Sequence, residues 1–295
     1  MVTRLDPKVY DIQADITWCP GCGDFAILRA LKLAFAELEI EPHQALVVSG
    51  IGCGSKLPDY MLVNGYMTIH GRPLPVATGA KLANPDQHVI VVDGDGDCYG
   101  IGGNHFVQTC RRNPNITQIV ENNQIYGLTK GQYSPTSDKG FVTTTSPDGA
   151  LEMAFNPVAV ALASGATFVA RAFAGEPKHI AQMIVEGIKH RGYALIDVLQ
   201  PCVTFNRVNT YDFYRKRVYH LEEEGYHPTG RDAAWVKAHE WEDRIPLGVI
   251  YRAEGLPAYE DQVLSLQGGS PVSRLIQLQK QPALEQYEPL KEGFL

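Results

Sequence analysis

The sequence has no apolar run long enough to cross a bilayer and no block of basic residues. A membrane-spanning helix needs about 18 consecutive apolar residues, and residues 1–15 are mixed and charged rather than a signal sequence. The 33 acidic residues outnumber the 26 basic ones, which gives a net charge of −7 that does not suit a nucleic-acid backbone. We therefore expect a cytoplasmic protein that binds neither membranes nor nucleic acid.

Cysteine is also scarce, with six residues in a chain of 295. Because 44% of the residues are hydrophobic, a chain of this length can bury a full core and does not need disulfides. In a reducing compartment, two cysteines separated by two residues indicate metal or redox chemistry more often than a disulfide. Cys19 and Cys22 form such a pair.

Short apolar runs bounded by turn residues alternate with helical patterns along most of the chain. The strand-like runs lie at 45–48, 89–92, 116–120 and 194–198. This alternation predicts an α/β fold with a doubly wound, mostly parallel sheet. We place the α/β domain at residues 1–202 and a C-terminal extension at 203–295, which packs on the domain and on a partner. The Pro-, Gln- and Gly-rich end from Pro257 onward suggests an extended tail that wraps a neighbour.

Two of the predicted strands end in oxygen ligands. The run at 89–92 leads into an acidic, glycine-rich turn at 93–97, and the run at 116–120 leads into Asn122-Asn123. Carboxylates in such a turn would repel a diphosphate unless a divalent cation stood between them, and Mg²⁺ prefers oxygen ligands completed by phosphate. Asp95, the Asn123 side chain and one main-chain carbonyl beyond it could bind Mg²⁺. For the acidic turn alone, a solvated turn or a calcium loop is the alternative.

The Cys19–Cys22 pair flanks Pro-Gly just before a helical pattern at 24–38. It could be a thioredoxin-type redox pair, half a zinc site or part of an iron–sulfur site, although no strand precedes it as a thioredoxin pair requires. Cys53 and Cys202 each follow a predicted strand, and strand ends of an open parallel sheet converge on one crevice. The four thiols could therefore share one site, but their spacing does not choose between zinc and iron–sulfur. The other two cysteines, Cys98 and Cys110, are expected in the core.

Gly94-Asp95-Gly96 followed by Asn122-Asn123 resembles the diphosphate–magnesium motif of thiamine diphosphate enzymes. Together with YGLTKGQYSPT at 126–136, it resembles the beta subunit of a 2-oxoacid:ferredoxin oxidoreductase. The resemblance extends from Cys19 to about Val249, and Asn122 departs from it, since related chains often have Asp there. It implies the thiamine diphosphate-binding fold of the diphosphate type, with thiamine diphosphate, Mg²⁺ and a [4Fe-4S] cluster as cofactors.

The resemblance also implies roles for individual residues. Cluster ligands would be Cys19, Cys22, Cys53 and Cys202, and Mg²⁺ ligands would be Asp95, Asn123 and the carbonyl of Ile125. Residues expected to contact the cofactor are Ile51, Gly52, Cys53, Gly54, His70, Gly94, Gly96, Asp97, Gly127 and Leu128. His70 would act catalytically, as a neutral imidazole that donates to a phosphate or to the reacting carbonyl oxygen. Leu128 would be the apolar wedge that bends the cofactor.

The implied activity is CoA-dependent oxidative decarboxylation of a 2-oxoacid to acyl-CoA and CO₂ with reduction of ferredoxin, or the reverse reaction. Lys130 lies in the segment after the second predicted ligand strand, where an ammonium group could meet the distal carboxylate of 2-oxoglutarate. We therefore expect 2-oxoglutarate as the substrate, with pyruvate or a branched-chain 2-oxoacid as the alternative.

The motifs account only for the diphosphate half of a thiamine site. The resemblance implies that an alpha subunit supplies the carboxylate that activates the pyrimidine and the contacts to CoA and substrate, in an (αβ)₂ assembly. Two alternative functions would involve different chemistry. One is a non-redox thiamine decarboxylase or synthase subunit with zinc on the four cysteines. The other is an electron-transfer iron–sulfur module that binds no thiamine.

Overall fold

The fold is built on one eight-stranded sheet in the computed structural model, which describes residues 5–267 and 269–279. The strands of this sheet are β1 (Ala45–Ser49), β2 (Asn64–Met67), β3 (His88–Gly94), β4 (Thr117–Asn122), β7 (Phe168–Phe173), β8 (Ala194–Leu199), β9 (Val218–His220) and β10 (Ile245–Arg252). The short strands β5 (Ile125–Tyr126) and β6 (Gln132–Tyr133) form a separate antiparallel hairpin.

The strand order is β2-β1-β3-β4-β8-β7-β10-β9. The first six strands run parallel, β10 is antiparallel to β7, and the edge strand β9 is parallel to β10. The sequence-based fold class, a doubly wound and mostly parallel α/β sheet, is therefore confirmed.

Helices cover both faces of the sheet. They are α1 (Asp24–Glu37), α2 (Pro73–Ala83), α3 (Gly103–Arg112), α4 (Pro157–Ala163), α5 (Pro177–Lys189), α6 (Tyr211–Arg215), α7 (Arg231–Ala238) and α8 (Pro271–Gln279). Apolar residues of α1 and α5 form one core with alternate residues of the strands, and those of α2, α3, α4 and α7 form the core on the opposite face. Burial on both faces explains why β3 and β8 read as continuous apolar runs.

The turns at two helix starts follow from local sequence. The Asn156 side chain accepts a hydrogen bond from the backbone N–H of Ala159 and caps α4, with Pro157 at the first helical position. In α5, Pro177 again occupies the first helical position, directly after Glu176. The apolar spacing of α5 places Ile180 and Ile184 in the first core.

The C-terminal segment returns to the domain instead of extending away from it. It supplies β9 and β10, which the sequence pattern did not reveal, to the main sheet. Past Pro257, the Tyr259 N–H donates to the Asn113 carbonyl at 3.0 Å, and Arg191 pairs with Asp261. The predicted extended conformation is wrong for residues 260–262, 264–266 and 271–279, which form two 3₁₀ turns and α8, whereas the wrapping of a neighbour stays a prediction. Residues 280–295 of that predicted tail lie outside the described residues.

The predicted domain boundary at residue 202 stays a prediction.

Across the described ranges 5–267 and 269–279, no helix combines the length and the apolar character that a bilayer crossing requires.

Candidate active site

The predicted site residues lie at the carboxyl ends of four strands that are neighbours in the sheet. These strands, β1, β3, β4 and β8, are adjacent in that order. They end respectively at the Gly50–Gly54 turn, Asp95, Asn123 and the segment that contains Cys202. Because parallel strands present their carboxyl ends at one edge, the fold brings these four segments into a single crevice.

Asp95 is buried, at 2% exposure, and its side-chain partners are neutral hydroxyls. Its Oδ2 accepts hydrogen bonds from the hydroxyls of Ser134 and Thr136, each at 2.5 Å. Burial raises the pKa of Asp95 to about 6, while the two hydroxyl donors act in the opposite direction. A buried carboxylate held by neutral donors is a group that a bound divalent cation would stabilise.

The end of β4 is linked to Asp95 through one hydroxyl. Thr136 Oγ1 lies 2.9 Å from Asn122 Oδ1 as well as 2.5 Å from Asp95 Oδ2. The Asn122 amide in turn donates to Asp197 at 3.1 Å, and the Tyr99 hydroxyl donates to the same carboxylate oxygen at 3.0 Å. Asn122 therefore works in the supporting network, which explains why a neutral residue is tolerated at this position.

Both the side-chain oxygen and the main-chain oxygen of Asn123 accept hydrogen bonds. Its Oδ1 accepts from the Ile125 N–H at 3.1 Å, and its main-chain carbonyl accepts from the Asn206 side chain at 3.0 Å. These contacts fix the Asn side chain and the start of β5 next to the end of β4. The expected Mg²⁺ ligands of this segment, Asn123 and Ile125, therefore lie within one short turn.

The β5–β6 hairpin carries Gly127, Leu128 and Lys130 in its loop. Leu128 is 47% exposed although it is apolar, as expected of a side chain that contacts a ligand instead of the core. Lys130 is exposed and has φ +77°, a left-handed conformation that few residues other than glycine and asparagine adopt readily. The backbone N–H groups of Lys130 and Gly131 donate to Gly127 and Tyr126, which closes the loop.

Two of the predicted cluster thiols converge on Gly127. A Cβ atom at this glycine would lie 3.6 Å from the Cys202 Sγ and 3.7 Å from the Cys53 Sγ. The hairpin that carries Leu128 therefore lies next to both thiols, close enough that a side chain at position 127 would touch them. Any metal or cluster on Cys53 and Cys202 would lie directly beside the predicted cofactor site.

The Cys19–Cys22 turn joins the same region. The Gln200 side-chain amide donates to the Cys22 Sγ at 3.1 Å, and the Trp18 indole donates to the Cys53 carbonyl at 2.7 Å. At the tip of the turn, Gly21 approaches Val203, the residue after Cys202. Cys19 itself is exposed at the first position of the turn.

The remaining cysteines, Cys98 and Cys110, are buried in the core on the α3 face, as predicted. All six cysteines are free thiols.

The spacing of the four thiols bears on what they could bind. Zinc bonded to sulfur at about 2.3 Å in a tetrahedron holds its sulfurs roughly 3.8 Å apart. Among the described residues, which include all four cysteines, no three thiols lie within 4.8 Å of one another. In their metal-free rotamers the four thiols are therefore not gathered at the spacing of a four-thiolate zinc site.

Two buried acids, Asp24 and Glu121, lie close to the Cys22 and Cys53 thiols. Burial raises the pKa of the Cys53 thiol to about 12 and raises that of Cys22 further, with the carboxylates of Asp24 and Glu121 adding to both shifts. Burial also raises the pKa of Asp24 to about 6 and that of Glu121 well above its usual range. The Cys22 and Cys53 thiols are therefore protonated at neutral pH when no metal is bound, so a metal that binds them must displace their protons.

Asp97 accepts hydrogen bonds from three other residues at the site. Its Oδ1 accepts from His70 Nδ1 at 2.5 Å and from the N–H groups of Ile51 and Gly71, each at 2.9 Å. This carboxylate therefore fixes His70 and the Gly50–Gly54 turn, and its expected contact with the cofactor stays a prediction. With Nδ1–H donated to Asp97, the neutral imidazole has an acceptor at Nε2. The predicted donor role of His70 would then require the imidazolium form.

Comparison with known proteins agrees with this geometry. Residues 50–198 match a family model described as the thiamine pyrophosphate enzyme, C-terminal TPP binding domain, and residues 202–268 match the C-terminal family model of the pyruvate ferredoxin oxidoreductase beta subunit. The chain is 50% identical to subunit beta of 2-oxoacid:ferredoxin oxidoreductase 1 from Aeropyrum pernix, over 83% of this chain and 80% of that one. It is 43% identical to the 2-oxoacid:ferredoxin oxidoreductase subunit beta from Saccharolobus solfataricus, over 93% and 95% of the two chains.

The chain belongs to the beta-subunit family of the 2-oxoacid:ferredoxin oxidoreductases.

A solved structure supports the same assignment for this oxidoreductase beta subunit. It is the 2-oxoglutarate:ferredoxin oxidoreductase from Magnetococcus marinus with 2-oxoglutarate, coenzyme A and succinyl-CoA bound. The TM-score is 0.86 at 38% sequence identity, and the match covers 94% of this chain and 97% of that one. The family resemblance found in the sequence is therefore confirmed, as are the fold, the thiamine diphosphate-binding domain and the class of enzyme.

The residues that support the oxidoreductase site were not predicted from the sequence. Ser134 and Thr136 lie within the segment YGLTKGQYSPT, so their hydroxyls were visible but had no assigned partner. Asp24 and Glu121 gave no sequence signal, because each looks like an ordinary helix-start or strand acid. Only the packing of α1 against the sheet shows that both are buried.

The close approach of Gly54 to Glu121 gives a stability prediction. A Cβ at Gly54 would lie 1.4 Å from Glu121 Oε2, a buried atom. We expect Gly54→Ala to lower the stability of the beta subunit by about 1–3 kcal/mol, since the buried acid must move aside within a packed core. Thermal unfolding of the assembled complex measures the effect.

Gly79→Ala is the matched control, because Gly79 lies in α2 with open space around its Cβ position. This change should be neutral or stabilising by about 0.5–1 kcal/mol, the difference in helix propensity. Equal melting temperatures for the Gly54 and Gly79 variants would show that Glu121 does not pack against the turn as described.

Proposed function

We propose that this beta subunit binds thiamine diphosphate through Mg²⁺ and a [4Fe-4S] cluster through its four thiols, and that it oxidises 2-oxoglutarate with coenzyme A and ferredoxin. The observation that carries the proposal is the arrangement of four neighbouring strand ends. They present the buried Asp95 carboxylate and the Cys53 and Cys202 thiols on either side of one hairpin. When bound, thiamine diphosphate supplies the carbanion chemistry that decarboxylates a 2-oxoacid.

Mg²⁺ fits the donors available at the ends of β3 and β4. Asp95 would provide the carboxylate ligand, Asn123 its side-chain carbonyl and Ile125 its main-chain carbonyl. Ser134 and Thr136 hold Asp95 by its Oδ2, and such supporting contacts orient a ligand before the metal arrives. The backbone of Gly94 and Gly96 would lie beside the diphosphate at the same turn.

A [4Fe-4S] cluster suits the proposed reaction better than zinc does. An oxidoreductase needs an acceptor of single electrons, and zinc has no redox chemistry. Cys19, Cys22, Cys53 and Cys202 would be the ligands. Gly127, whose Cβ position lies 3.6 Å from the Cys202 Sγ and 3.7 Å from the Cys53 Sγ, leaves no side chain between the proposed cluster and the cofactor.

The residues of the crevice would position the reacting groups. Ile51, Gly52 and Gly54 form the turn that Asp97 anchors through the Ile51 N–H, and the same carboxylate holds His70 at Nδ1. His70 in its imidazolium form would donate from Nε2 to a phosphate or to the substrate carbonyl oxygen. Leu128, exposed in the hairpin loop, would support the bent cofactor from one side and exclude water from it.

The site requires a second chain to be complete. A beta subunit of this family implies further subunits, and the residues described here provide contacts only for the diphosphate end of the cofactor. An alpha subunit would supply the carboxylate that activates the pyrimidine, together with contacts to coenzyme A and substrate, in an (αβ)₂ complex. The exposed Leu128 and Ile51 are on the open side of the crevice that such a partner would cover.

Lys130 supports 2-oxoglutarate as the substrate. It is the basic residue of the hairpin loop that flanks the site, and the similar structure from Magnetococcus marinus has 2-oxoglutarate bound. Viologen reduction by the anaerobic αβ complex with coenzyme A and a panel of 2-oxoacids tests the activity. We expect a higher kcat/KM for 2-oxoglutarate than for pyruvate or 2-oxoisovalerate. A complex that turns over none of the three would contradict the proposed function.

Replacing Lys130 tests its part in this preference. A charge-assisted hydrogen bond contributes about 1.5–3 kcal/mol, so Lys130→Gln should lower kcat/KM for 2-oxoglutarate roughly 10- to 100-fold and leave pyruvate nearly unchanged. Glutamine is preferred to threonine here, because a β-branched residue is strained at φ +77°. Lys130→Arg keeps the charge and should retain most of the preference. Equal losses on both substrates would remove Lys130 from substrate selection.

A further inference from the structure

A second cluster of potential metal ligands, made of residues outside the proposed cofactor sites, lies where the C-terminal segment meets the start of α5. Glu176 directly precedes α5, His179 is in its first turn, and His220 is the last residue of β9. One ligand atom from each lies within 4.8 Å of the other two. Among the described residues, this is the only group of three histidine, cysteine or acidic side chains that meets this distance.

His179 has no protein partner that explains its position. Both ring nitrogens are buried, and neither has a hydrogen-bond partner among the described residues. Leaving a buried polar group unsatisfied costs about 1–3 kcal/mol, and such an atom calls for an unplaced water or ion. The His220 ring meets His179 edge-on, with ring centroids 4.7 Å apart and planes at 89°.

The other two ligands are already paired and partly open to solvent. His220 Nε2 lies 3.0 Å from Glu176 Oε2, and the two side chains are 26% and 34% exposed. An outward face remains accessible, so that a cation could enter and water could occupy a further coordination position. The Glu176 carboxylate also offsets the partial positive charge of the α5 N-terminus, which would otherwise oppose a cation.

We propose that Glu176, His179 and His220 form a binding site for a divalent transition-metal cation, with Zn²⁺ as the expected occupant. Two imidazoles and one carboxylate form a recurrent zinc ligand set, with a water molecule in the fourth position. Their mixed nitrogen and oxygen character suits zinc and its neighbours better than Mg²⁺ or Ca²⁺, which prefer oxygen alone.

The ligands need only a small adjustment to close on a cation. Zinc bonds of about 2.0–2.2 Å to nitrogen and oxygen place the ligand atoms roughly 3.3–3.6 Å apart in a tetrahedron. The observed separations, all within 4.8 Å, exceed this by about 1.5 Å at most. Rotation of the partly exposed side chains of Glu176 and His220 can supply this change without moving the backbone.

Cation binding would link two parts of the chain. β9 is the edge strand of the sheet, and among the described residues it pairs with β10 alone, through three residues. A cation held by His220 from β9 and by Glu176 and His179 at the start of α5 would tie the C-terminal extension to the domain that carries the cysteines. None of the three ligands belongs to the proposed cofactor sites, so their loss should change the zinc-dependent stability while the iron content stays constant.

Zinc binding by the assembled, untagged complex tests the proposal. The cluster is kept intact and Mg²⁺ is in excess, so that the four thiols and Asp95 are occupied. Calorimetry with Zn²⁺ alone is expected to give one site per beta subunit, and saturation should raise Tm by on the order of 4 °C. Co²⁺ in place of Zn²⁺ should give a visible spectrum without thiolate charge-transfer bands.

His220→Gln and Glu176→Gln are the test variants, since both residues are partly exposed and their loss should leave the fold intact. Each is expected to abolish the zinc-dependent rise in Tm, with unchanged iron content and unchanged Tm in the absence of zinc. His227→Gln, at an exposed histidine of the same segment, should bind zinc normally. Failure of the wild-type complex to bind Zn²⁺, or binding of equal affinity in all three variants, would overturn the proposal.

Discussion

Replacement of Asp95 by asparagine is expected to abolish binding of thiamine diphosphate and Mg²⁺ to the assembled complex. Asparagine keeps the shape of the side chain and can accept the hydrogen bonds that Ser134 and Thr136 donate, but it removes the negative charge that a magnesium ligand supplies. Loss of a residue that merely supports a metal ligand costs about 10- to 100-fold in affinity. Loss of the carboxylate ligand itself should exceed a factor of about 100, as measured by calorimetry with the cofactor and Mg²⁺.

The same variant should be more stable than the wild type when cofactor and metal are absent. The pKa of Asp95 is about 6 in the folded protein, above its usual 3.8, so the folded state binds more protons than the unfolded state between these values. Wild-type stability therefore falls as pH rises from 3.8 to 6, by about 3 kcal/mol when complete. Asp95→Asn removes this dependence, and its metal-free Tm should exceed that of the wild type at neutral pH.

Weaker cofactor binding together with higher metal-free stability would distinguish the loss of a metal ligand from misfolding. Asp138→Asn is a suitable control, since Asp138 is outside the proposed ligand set and its pKa is raised only by burial. This variant should bind the cofactor normally. Normal cofactor affinity in Asp95→Asn would remove Asp95 from the magnesium site.

Replacement of Cys53 by alanine is expected to remove the iron–sulfur cluster and electron transfer to viologen together. Cys53 and Cys202 approach the same glycine of the hairpin, so losing one thiol opens the proposed cluster on the side that faces the cofactor. Three remaining thiolates do not complete a four-cysteine site. The anaerobically purified variant should lack the brown absorption of the wild type, contain little iron and show no paramagnetic signal on reduction.

Cys110→Ala is the matched control, because Cys110 is a buried thiol on the opposite face of the sheet. It should lose some stability from the small cavity but keep its iron and its activity. Stoichiometric zinc and no iron in the wild-type complex would contradict the proposed cluster, even though all four cysteines were retained.

The hairpin explains how the two proposed cofactors could act together. The Cβ position of Gly127 lies beside the thiols of Cys53 and Cys202, and the next residue, Leu128, is exposed. The segment proposed to bend thiamine diphosphate therefore also borders the proposed cluster. A side chain at position 127 would lengthen the path between them, which gives a physical reason for glycine at this point.

Strand ends and motif residues could be predicted from the sequence because local patterns specify them. The apolar runs before Asp95 and Asn123 predicted β3 and β4, and the carboxyl-edge rule then predicted that both residues face one crevice. Cys53 and Cys202 were assigned to that edge by the same reasoning, and the structure places both beside Gly127.

The supporting residues could not be predicted in this way. Asp97 was expected to contact the cofactor, and only the structure shows that its Oδ1 also accepts hydrogen bonds from His70 and two backbone N–H groups. The tail after Pro257 was expected to be extended because it is rich in Pro, Gln and Gly, yet its Tyr259 N–H donates to the Asn113 carbonyl. These contacts depend on partners that are distant in the sequence.

The sequence by itself determined the α/β alternation before residue 202, the family and the residue types that could bind metals, because these depend on local periodicity and on short motifs. Only the tertiary structure decided which side chains meet. Burial of Asp95 among neutral hydroxyls, the acidic pair under the thiols and the meeting of His179 with His220 all arise when separate elements pack on one sheet. Such contacts follow from chain topology, and no local pattern contains that information.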